Sequence, residues 1–280
     1  MIQKGILIMP IFALTKTTLL DYPEHIAASI FFGGCNFRCP FCHNKDIVFA
    51  SESLQNGSLI TYTEAEILSF LQKRRNVLSG VCITGGEPTL YKDLPKFLAK
   101  IKELGYQIKL DTNGSNPELL RMLIQNRLID YCAMDIKNSL KKYPQTIGIR
   151  NTSVPDASTT NTSSANTSSA NPSIANTAVL ADLNKMRLTS IQKSVDILMY
   201  SDCAEFSYEF RTTVVQELHT EADLVEIAKW ILGAPAYYLQ SYVESDGVIQ
   251  KGFHAYSPET MKKLEQICRN WNVNTLLRGV

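Results

Sequence analysis

The sequence predicts an α/β fold of six successive strand–helix units, and three observations carry that expectation. Short apolar, β-prone runs recur at 27–32, 81–84, 107–110, 129–136, 205–215 and 236–240. Helical patterns with recognisable start and stop signals lie between most of them. Four of the runs also end in residues that do chemistry rather than packing. These are Gly33-Gly34 before a cysteine cluster, Gly85-Gly86-Glu87-Pro88, Asp111-Thr112-Asn113-Gly114 and Asp135-Ile136-Lys137. Strand–helix alternation with right-handed crossovers gives a parallel sheet wrapped by helices, and such sheets carry their sites at the carboxyl ends of the strands. Six units are fewer than the eight of a closed barrel.

Taken in order, residues 13–26 read as a lead-in, with a turn at Asp21-Tyr22-Pro23, because a residue before proline avoids the α region. The first strand follows. Thr63 and Glu66 form a capping box ahead of an apolar stripe of Ile67, Leu68 and Leu71. After the second strand, a helix over 91–104 carries Leu94, Phe97, Leu98, Ile101 and Leu104 on one side and stops at Gly105. Asn116 caps the next helix, with Pro117 at its first position. Residues 151–178 repeat Asn-Thr-Ser-Ser-Ala and hold almost no large apolar side chains, so they cannot offset their ordering entropy and are expected to be disordered. A helix is expected over about 182–199. Thr220 and Asp223 cap one over 221–232, and Ser257-Pro258 opens the last, with Met261, Leu264, Ile267, Cys268 and Trp271 inward.

Composition narrows the function. The chain has 280 residues, 45% apolar, with a net charge of +1. That is enough chain for one large domain or two small ones and gives no basic surface for nucleic acid. No run approaches the 18 apolar residues of a membrane span. No signal peptide is read in the first 12 residues, and Met9 is an alternative start. Seven cysteines, an odd number, fit a reducing cytoplasm better than a disulfide framework. Cys82, Cys132 and Cys268 read as small core residues, while Cys203 sits in a polar stretch and is left open.

Cys35-Asn36-Phe37-Arg38-Cys39-Pro40-Phe41-Cys42 is the chemical centre of the sequence, with the pattern C-x3-C-x2-C. Three thiolates suit an iron–sulfur cluster, and a four-iron cube would keep one iron free of protein for a small molecule. A zinc site completed by His43 and a set of three core thiols are the competing readings, though zinc sites usually pair two separated C-x2–4-C motifs and Asn36, Arg38 and Pro40 make no apolar face.

With an aromatic before its third cysteine and His43-Asn44 after it, this motif resembles that of the radical S-adenosylmethionine (SAM) superfamily. Within that superfamily it is most similar to the activating enzymes of glycyl-radical enzymes. The resemblance implies a partial (β/α)6 barrel of the radical SAM type over about 18–245, interrupted at 151–178. Residues 1–17 would be a lead-in and 246–280 a helical segment packed on the barrel. It implies that Cys35, Cys39 and Cys42 hold a [4Fe–4S] cluster whose open iron chelates SAM, and that the reduced cluster cleaves SAM to methionine and a 5′-deoxyadenosyl radical. Gly85, Gly86 and Glu87 match the motif that binds the SAM amino group, and Phe41 would pack near the adenine. Asp111, Thr112 and Asp135 would hold a monovalent cation beside the SAM carboxylate, with Lys137 near SAM. A local Asp135–Lys137 salt bridge is the plainer alternative. Arg211 and His219 are weaker candidates, His219 being readable as no more than a polar residue before the Thr220 cap.

The stretches 20–23, 111–117, 133–137, 209–215 and 237–240 narrow the resemblance to activating proteins of anaerobic ribonucleoside-triphosphate reductase. That implies a cytoplasmic oxidoreductase that installs a glycyl radical on the reductase and takes electrons from a low-potential donor such as flavodoxin or ferredoxin. Asp21-Tyr22-Pro23 is then expected on the rim where the partner's glycine loop enters. Activation of pyruvate formate-lyase or another glycyl-radical enzyme, or action on a small molecule, are the alternatives.

Overall fold

The computed structural model describes residues 11–49, 62–148 and 174–280. Its centre is one eight-stranded sheet whose strands are neighbours in the order of the sequence. They are β1 (Ile11–Thr18), β2 (Ala27–Phe32), β3 (Gly80–Gly85), β4 (Gln107–Thr112), β5 (Tyr131–Asp135), β6 (Ser207–Val214), β7 (Tyr237–Ser241) and β8 (Thr275–Arg278). β1 pairs antiparallel with β2, and every later pair is parallel. The six expected strands are β2 to β7, so the α/β partial barrel is the observed fold. Its edges are the two strands the sequence reading did not foresee. β1 buries only its first two side chains and exposes Thr15 to Thr17, so it lacks a clean alternation. β8 has four residues, below the length at which a pattern can be read.

Parallel strands need crossovers, and helices supply most of them. In chain order they are α1 (Lys45–Val48), α2 (Glu64–Arg74), α3 (Leu94–Glu103), α4 (Pro117–Gln125), α5 (Tyr143–Thr146), α6 (Ile174–Met199), α7 (Glu221–Trp230) and α8 (Pro258–Arg269). Their starts follow the capping signals. The Thr63 hydroxyl accepts from the Glu66 backbone N–H while Glu66 reaches back to the Thr63 N–H, and Thr220 and Asp223 repeat the arrangement. Asn116 and Ser257 accept from the third helical N–H of α4 and α8, each with proline in the first turn. The apolar stripes face the sheet. Leu94, Phe97, Leu98 and Ile101 of α3 and Leu120, Leu123 and Ile124 of α4 are buried, each stabilising the fold by roughly 1.5–3 kcal/mol relative to exposure.

The two sides of the sheet differ. Val81, Ile83, Ile108, Leu110 and Phe210 belong to the apolar core under the helices. Side chains alternate along a strand, so Cys82 and Thr84, Lys109 and Asp111, and Glu209, Arg211 and Thr213 share the opposite, concave side. That interior is polar and charged.

Three expectations need correction. Trp271 is not inward: α8 ends at Arg269, the helical period stops there, and the indole is exposed with the Lys229 ammonium 4.7 Å from its ring. Asp21-Tyr22-Pro23 is not on the cysteine side of the barrel. It precedes β2, where Tyr22 packs on His25 and Tyr131 and fills the space over Gly80, at the amino-terminal ends of β3 and β5. The segment 151–178 lies outside the described residues as far as 173. From Ile174 the backbone is helical, so α6 begins some eight residues earlier than expected.

Candidate active site

The cysteine loop leaves the carboxyl end of β2. Gly34 takes φ +82, a left-handed conformation that glycine adopts without steric cost, and its N–H donates to the Ile47 carbonyl at 2.7 Å. Distant backbone fixes the rest. Arg38 N–H donates to Ile147 O (2.9 Å), Lys45 N–H to Gly247 O (3.1 Å), Ile249 N–H to Cys42 O (3.0 Å) and Gln250 N–H to Pro40 O (2.8 Å). The three thiols are thereby held toward one cavity of about 210 Å³ at the carboxyl ends of the strands. Its wall includes Cys35, Cys39, Cys42, Phe41, Gly85, Gly86, Asp111, Thr112, Asp135 and Lys137. Of the residues expected at the site, Glu87 and the weaker candidate His219 are not on that wall.

Burial raises the thiol pKa values. Cys35 is pushed up to about 11, against the lowering effect of the Phe37 N–H, and Cys39 up to about 12, against Lys137. A metal centre that takes these thiols must displace their protons. Among the described residues no three His, Cys, Asp or Glu converge as the ligands of a single ion do. Ligands of a cube need not converge, because each thiolate binds a different iron. Three soft donors lining one cavity with Phe37, Phe41 and Val48 therefore fit a multi-iron cluster better than a lone zinc ion.

The glycine motif ends β3. Gly85 has φ +112, and a Cβ there would lie 2.5 Å from the Phe32 backbone. Gly86 N–H donates to Phe32 O (2.8 Å), Glu87 N–H to Gly34 O (2.9 Å) and the Asn44 side chain to Gly85 O (3.2 Å), which ties the motif to the cysteine loop. Glu87 turns away from the cavity and is fully buried. Its carboxylate accepts from the Thr89 N–H and hydroxyl, the Thr112 hydroxyl (2.8 Å) and the Asn113 N–H (2.6 Å). It ties the end of β3 to the end of β4 and positions Thr112 and Asn113. Burial nevertheless lifts its pKa above the usual carboxylate value, against those four donors.

Behind the thiols stands a row of charges. Lys137 donates to Asp135 (2.8 Å). Arg211 Nε donates to the other Asp135 oxygen (2.9 Å), and Arg211 Nη1 lies 3.4 Å from Asp111. Asp111 also accepts from Lys109 and from the Thr84 hydroxyl (3.0 Å). Burial alone would raise both carboxyl pKa values. Arg211 and Lys137 outweigh it at Asp135, which falls to about 2, and Arg211 with Lys109 keeps Asp111 below the usual range. Deeper in the barrel Glu209 is fully buried, paired bidentately with Arg278 (2.8 and 2.9 Å) and accepting from the Tyr131 hydroxyl (2.7 Å).

Arg211 is thus central to the site. His219 is fully buried and does more than precede a cap. Its Nδ1 accepts from the Val215 N–H (3.1 Å), which leaves Nε2–H to donate to the Lys137 carbonyl (2.8 Å), and its ring meets Phe41 edge-on at 6.5 Å. It positions both Lys137 and Phe41. The sequence reading missed Lys109, Asn113, Glu209 and Arg278. Lys109 and Glu209 each lie two residues before a charged partner in a strand, a spacing that does signal a shared face. Asn113 donates to Asn36 (2.9 Å) and approaches Cys35 Sγ at 3.8 Å. Nothing in the local pattern marks Arg278, since β8 itself was not foreseen.

Residues 29–157 match the family model "Radical SAM superfamily". By that match the stretch holding the three cysteines and the Gly85-Gly86-Glu87-Pro88 turn is similar to the radical SAM superfamily. The chain's cofactors are accordingly a [4Fe–4S] cluster and SAM. One relative from Methanocaldococcus jannaschii, named "Putative glycyl-radical enzyme activating enzyme MJ1227", is 28% identical over 93% of this chain and 92% of its own length. A 7-carboxy-7-deazaguanine synthase of Thermococcus kodakarensis is 30% identical over 40% of the chain and 49% of its own. Among solved structures, Streptococcus suis SuiB bound to S-adenosylmethionine superposes with a TM-score of 0.57 at 13% identity, over 88% of this chain and 48% of that one, a likeness of fold.

Proposed function

We propose that this radical SAM enzyme activates a glycyl-radical enzyme, with Cys35, Cys39 and Cys42 as the cluster ligands. The observation that carries the reading is the similarity, across nearly the full length of both chains, to a protein named as an activating enzyme of that kind. When bound, the reduced cluster supplies the electron that cleaves SAM. The chain's own residues do the placing. Gly85 and Gly86 let backbone approach the ligand, with the Gly85 carbonyl held by Asn44. Phe41, nearly buried, offers an apolar wall for a planar base. Lys137 presents a fixed positive charge between the thiols and Asp135, suited to a carboxylate.

The partner we favour is anaerobic ribonucleoside-triphosphate reductase, on the resemblance of 111–117, 133–137 and 209–215, with flavodoxin or ferredoxin as the electron donor. The sheet is open between β1 and β8, which pair with other strands and not with each other, leaving an unclosed side for a polypeptide loop. The test combines anaerobically purified protein, SAM, a low-potential reductant and the reductase. A glycyl EPR doublet on the reductase is expected, and Cys35→Ala, Cys39→Ala and Cys42→Ala should each abolish it together with SAM cleavage. A doublet on pyruvate formate-lyase instead would move the partner and keep the reaction class. Turnover of a small substrate with no protein radical would favour the second reading, which rests on the partial similarity to a carboxydeazaguanine synthase.

A further inference from the structure

Asp111 and Asp135 end neighbouring strands, and their carboxylates face the same space. Every oxygen of the pair already has a donor. One Asp111 oxygen accepts from Lys109 and the other from Thr84, with the Arg211 guanidinium 3.4 Å away. One Asp135 oxygen accepts from Arg211 Nε at 2.9 Å and the other from Lys137 at 2.8 Å. The Thr112 hydroxyl is spent as well, donating to Glu87 and accepting from the Gly114 N–H (3.2 Å). A metal cation held by Asp111, Thr112 and Asp135 would have to displace these donors. Charge argues the same way. Lys109, Arg211 and Lys137 set three positive charges against two negative ones in a buried interior, where a further uncompensated cation is costly. A guanidinium stays protonated, spans two carboxylates with one rigid fork and cannot diffuse away.

We propose that Arg211 is the built-in counter-cation of the Asp111–Asp135 pair, so that ligand binding in this barrel needs no mobile monovalent ion. Arg211 is then a positioning residue: it fixes the two carboxylates and, through Asp135, the Lys137 ammonium that faces the thiols. The affinity part of the test rests on the reading of the cavity as a SAM site, and the thermal part does not.

The test compares tetramethylammonium, sodium and potassium chlorides at equal ionic strength. Melting temperature is read on the purified protein, and SAM affinity on the cluster-loaded protein under anaerobic conditions. The wild type is expected to melt at one temperature in all three salts and to bind SAM with less than about a twofold difference. Arg211→Met should lose about tenfold or more in SAM affinity in tetramethylammonium and recover much of it in sodium or potassium. Its melting temperature should rise by about 3 °C or more in the small cations relative to tetramethylammonium. Arg211→Lys, which keeps the charge, should remain indifferent to the salt, and it decides the matter with the wild type if Arg211→Met does not fold. A wild type that gains about fivefold or more in SAM affinity, or melts several degrees higher, specifically in sodium or potassium overturns the proposal. So does an Arg211→Met protein that behaves as the wild type in all three salts. Absence of SAM binding in every salt, with the melting temperatures as expected, would refute the functional reading and leave the counter-cation in place.

Discussion

Replacing Gly86 by alanine is the sharpest probe of how the glycine motif serves the cysteine loop. A Cβ at this position would lie 2.0 Å from the Gly34 carbonyl oxygen and 2.7 Å from its carbon. Ordinary contact begins near 3.4 Å, so the two backbones must part by the difference between 3.4 and 2.0 Å, about 1.4 Å. No side chain can swing aside, because the obstacle is main chain. The displacement stretches the Glu87 N–H to Gly34 O bond from 2.9 Å beyond hydrogen-bonding range. A lost hydrogen bond costs about 1 kcal/mol and overpacking about 1–3 kcal/mol, together roughly 2–4 kcal/mol. For a chain of this size that is a fall of roughly 5–15 °C in melting temperature. Cys35 follows Gly34 directly, so its thiol moves with the carbonyl. Iron and sulfide content after anaerobic reconstitution should therefore fall with the melting temperature. Gly105→Ala is the control. Gly105 also has positive φ, at +89, but has nothing within 4 Å of its Cβ position, so it should lose about 1 kcal/mol and keep full iron. A Gly86→Ala protein with wild-type melting and full iron would show that the close approach of these two loops is not what holds the thiols.

Two further outcomes follow from the buried charges. The Asp135 carboxyl is held near 2 in the folded chain against about 3.9 unfolded, so its contribution, about 2–3 kcal/mol at most, is present above pH ~4 and lost as pH falls toward ~2. Asp135→Asn should flatten the acid-unfolding curve in that window, and an unchanged curve would contradict the network. His219→Leu removes both ring hydrogen bonds and should destabilise by roughly 2–4 kcal/mol in urea unfolding. Burial holds the His219 pKa below its usual value, so the unfolded chain binds the extra proton first and wild-type stability falls as pH drops below ~6.5. That component should vanish in the leucine variant, and its persistence would assign it to another group.

The parallel strands and most helices were legible because each carries its own local signal: an apolar run, a capping box, or a proline at a first helical position. The edge strands were not. β1 alternates poorly, and β8 is recruited by pairing with β7 rather than by its own pattern. At the site, the motif residues fell on one cavity because their strands end on one side. The division of labour among them was hidden. Glu87 reads as a ligand-facing carboxylate, yet Thr89 beside it and Thr112 and Asn113 at the end of β4 draw it inward. Arg211 and His219 read as minor polar residues, yet cross-strand neighbours make one the bridge between Asp111 and Asp135 and the other the clamp on Lys137. The roles of Arg211 and His219 arise between residues roughly 75 to 100 positions apart, a distance that local periodicity does not carry.

The bonds from 247, 249 and 250 to the cysteine loop have a bearing on how the protein can be divided. The family match stops at residue 157, but the backbone that braces Pro40, Cys42 and Lys45 arrives some two hundred residues after them. The thiol loop is therefore finished only when the chain beyond β7 has been made and folded back. A protein cut after its matched region would possess all three cysteines but lack the bonds that residues 247, 249 and 250 make to their loop. Assembly of the metal centre should accordingly wait until the segment around 247–250 has been made and has folded back onto the loop.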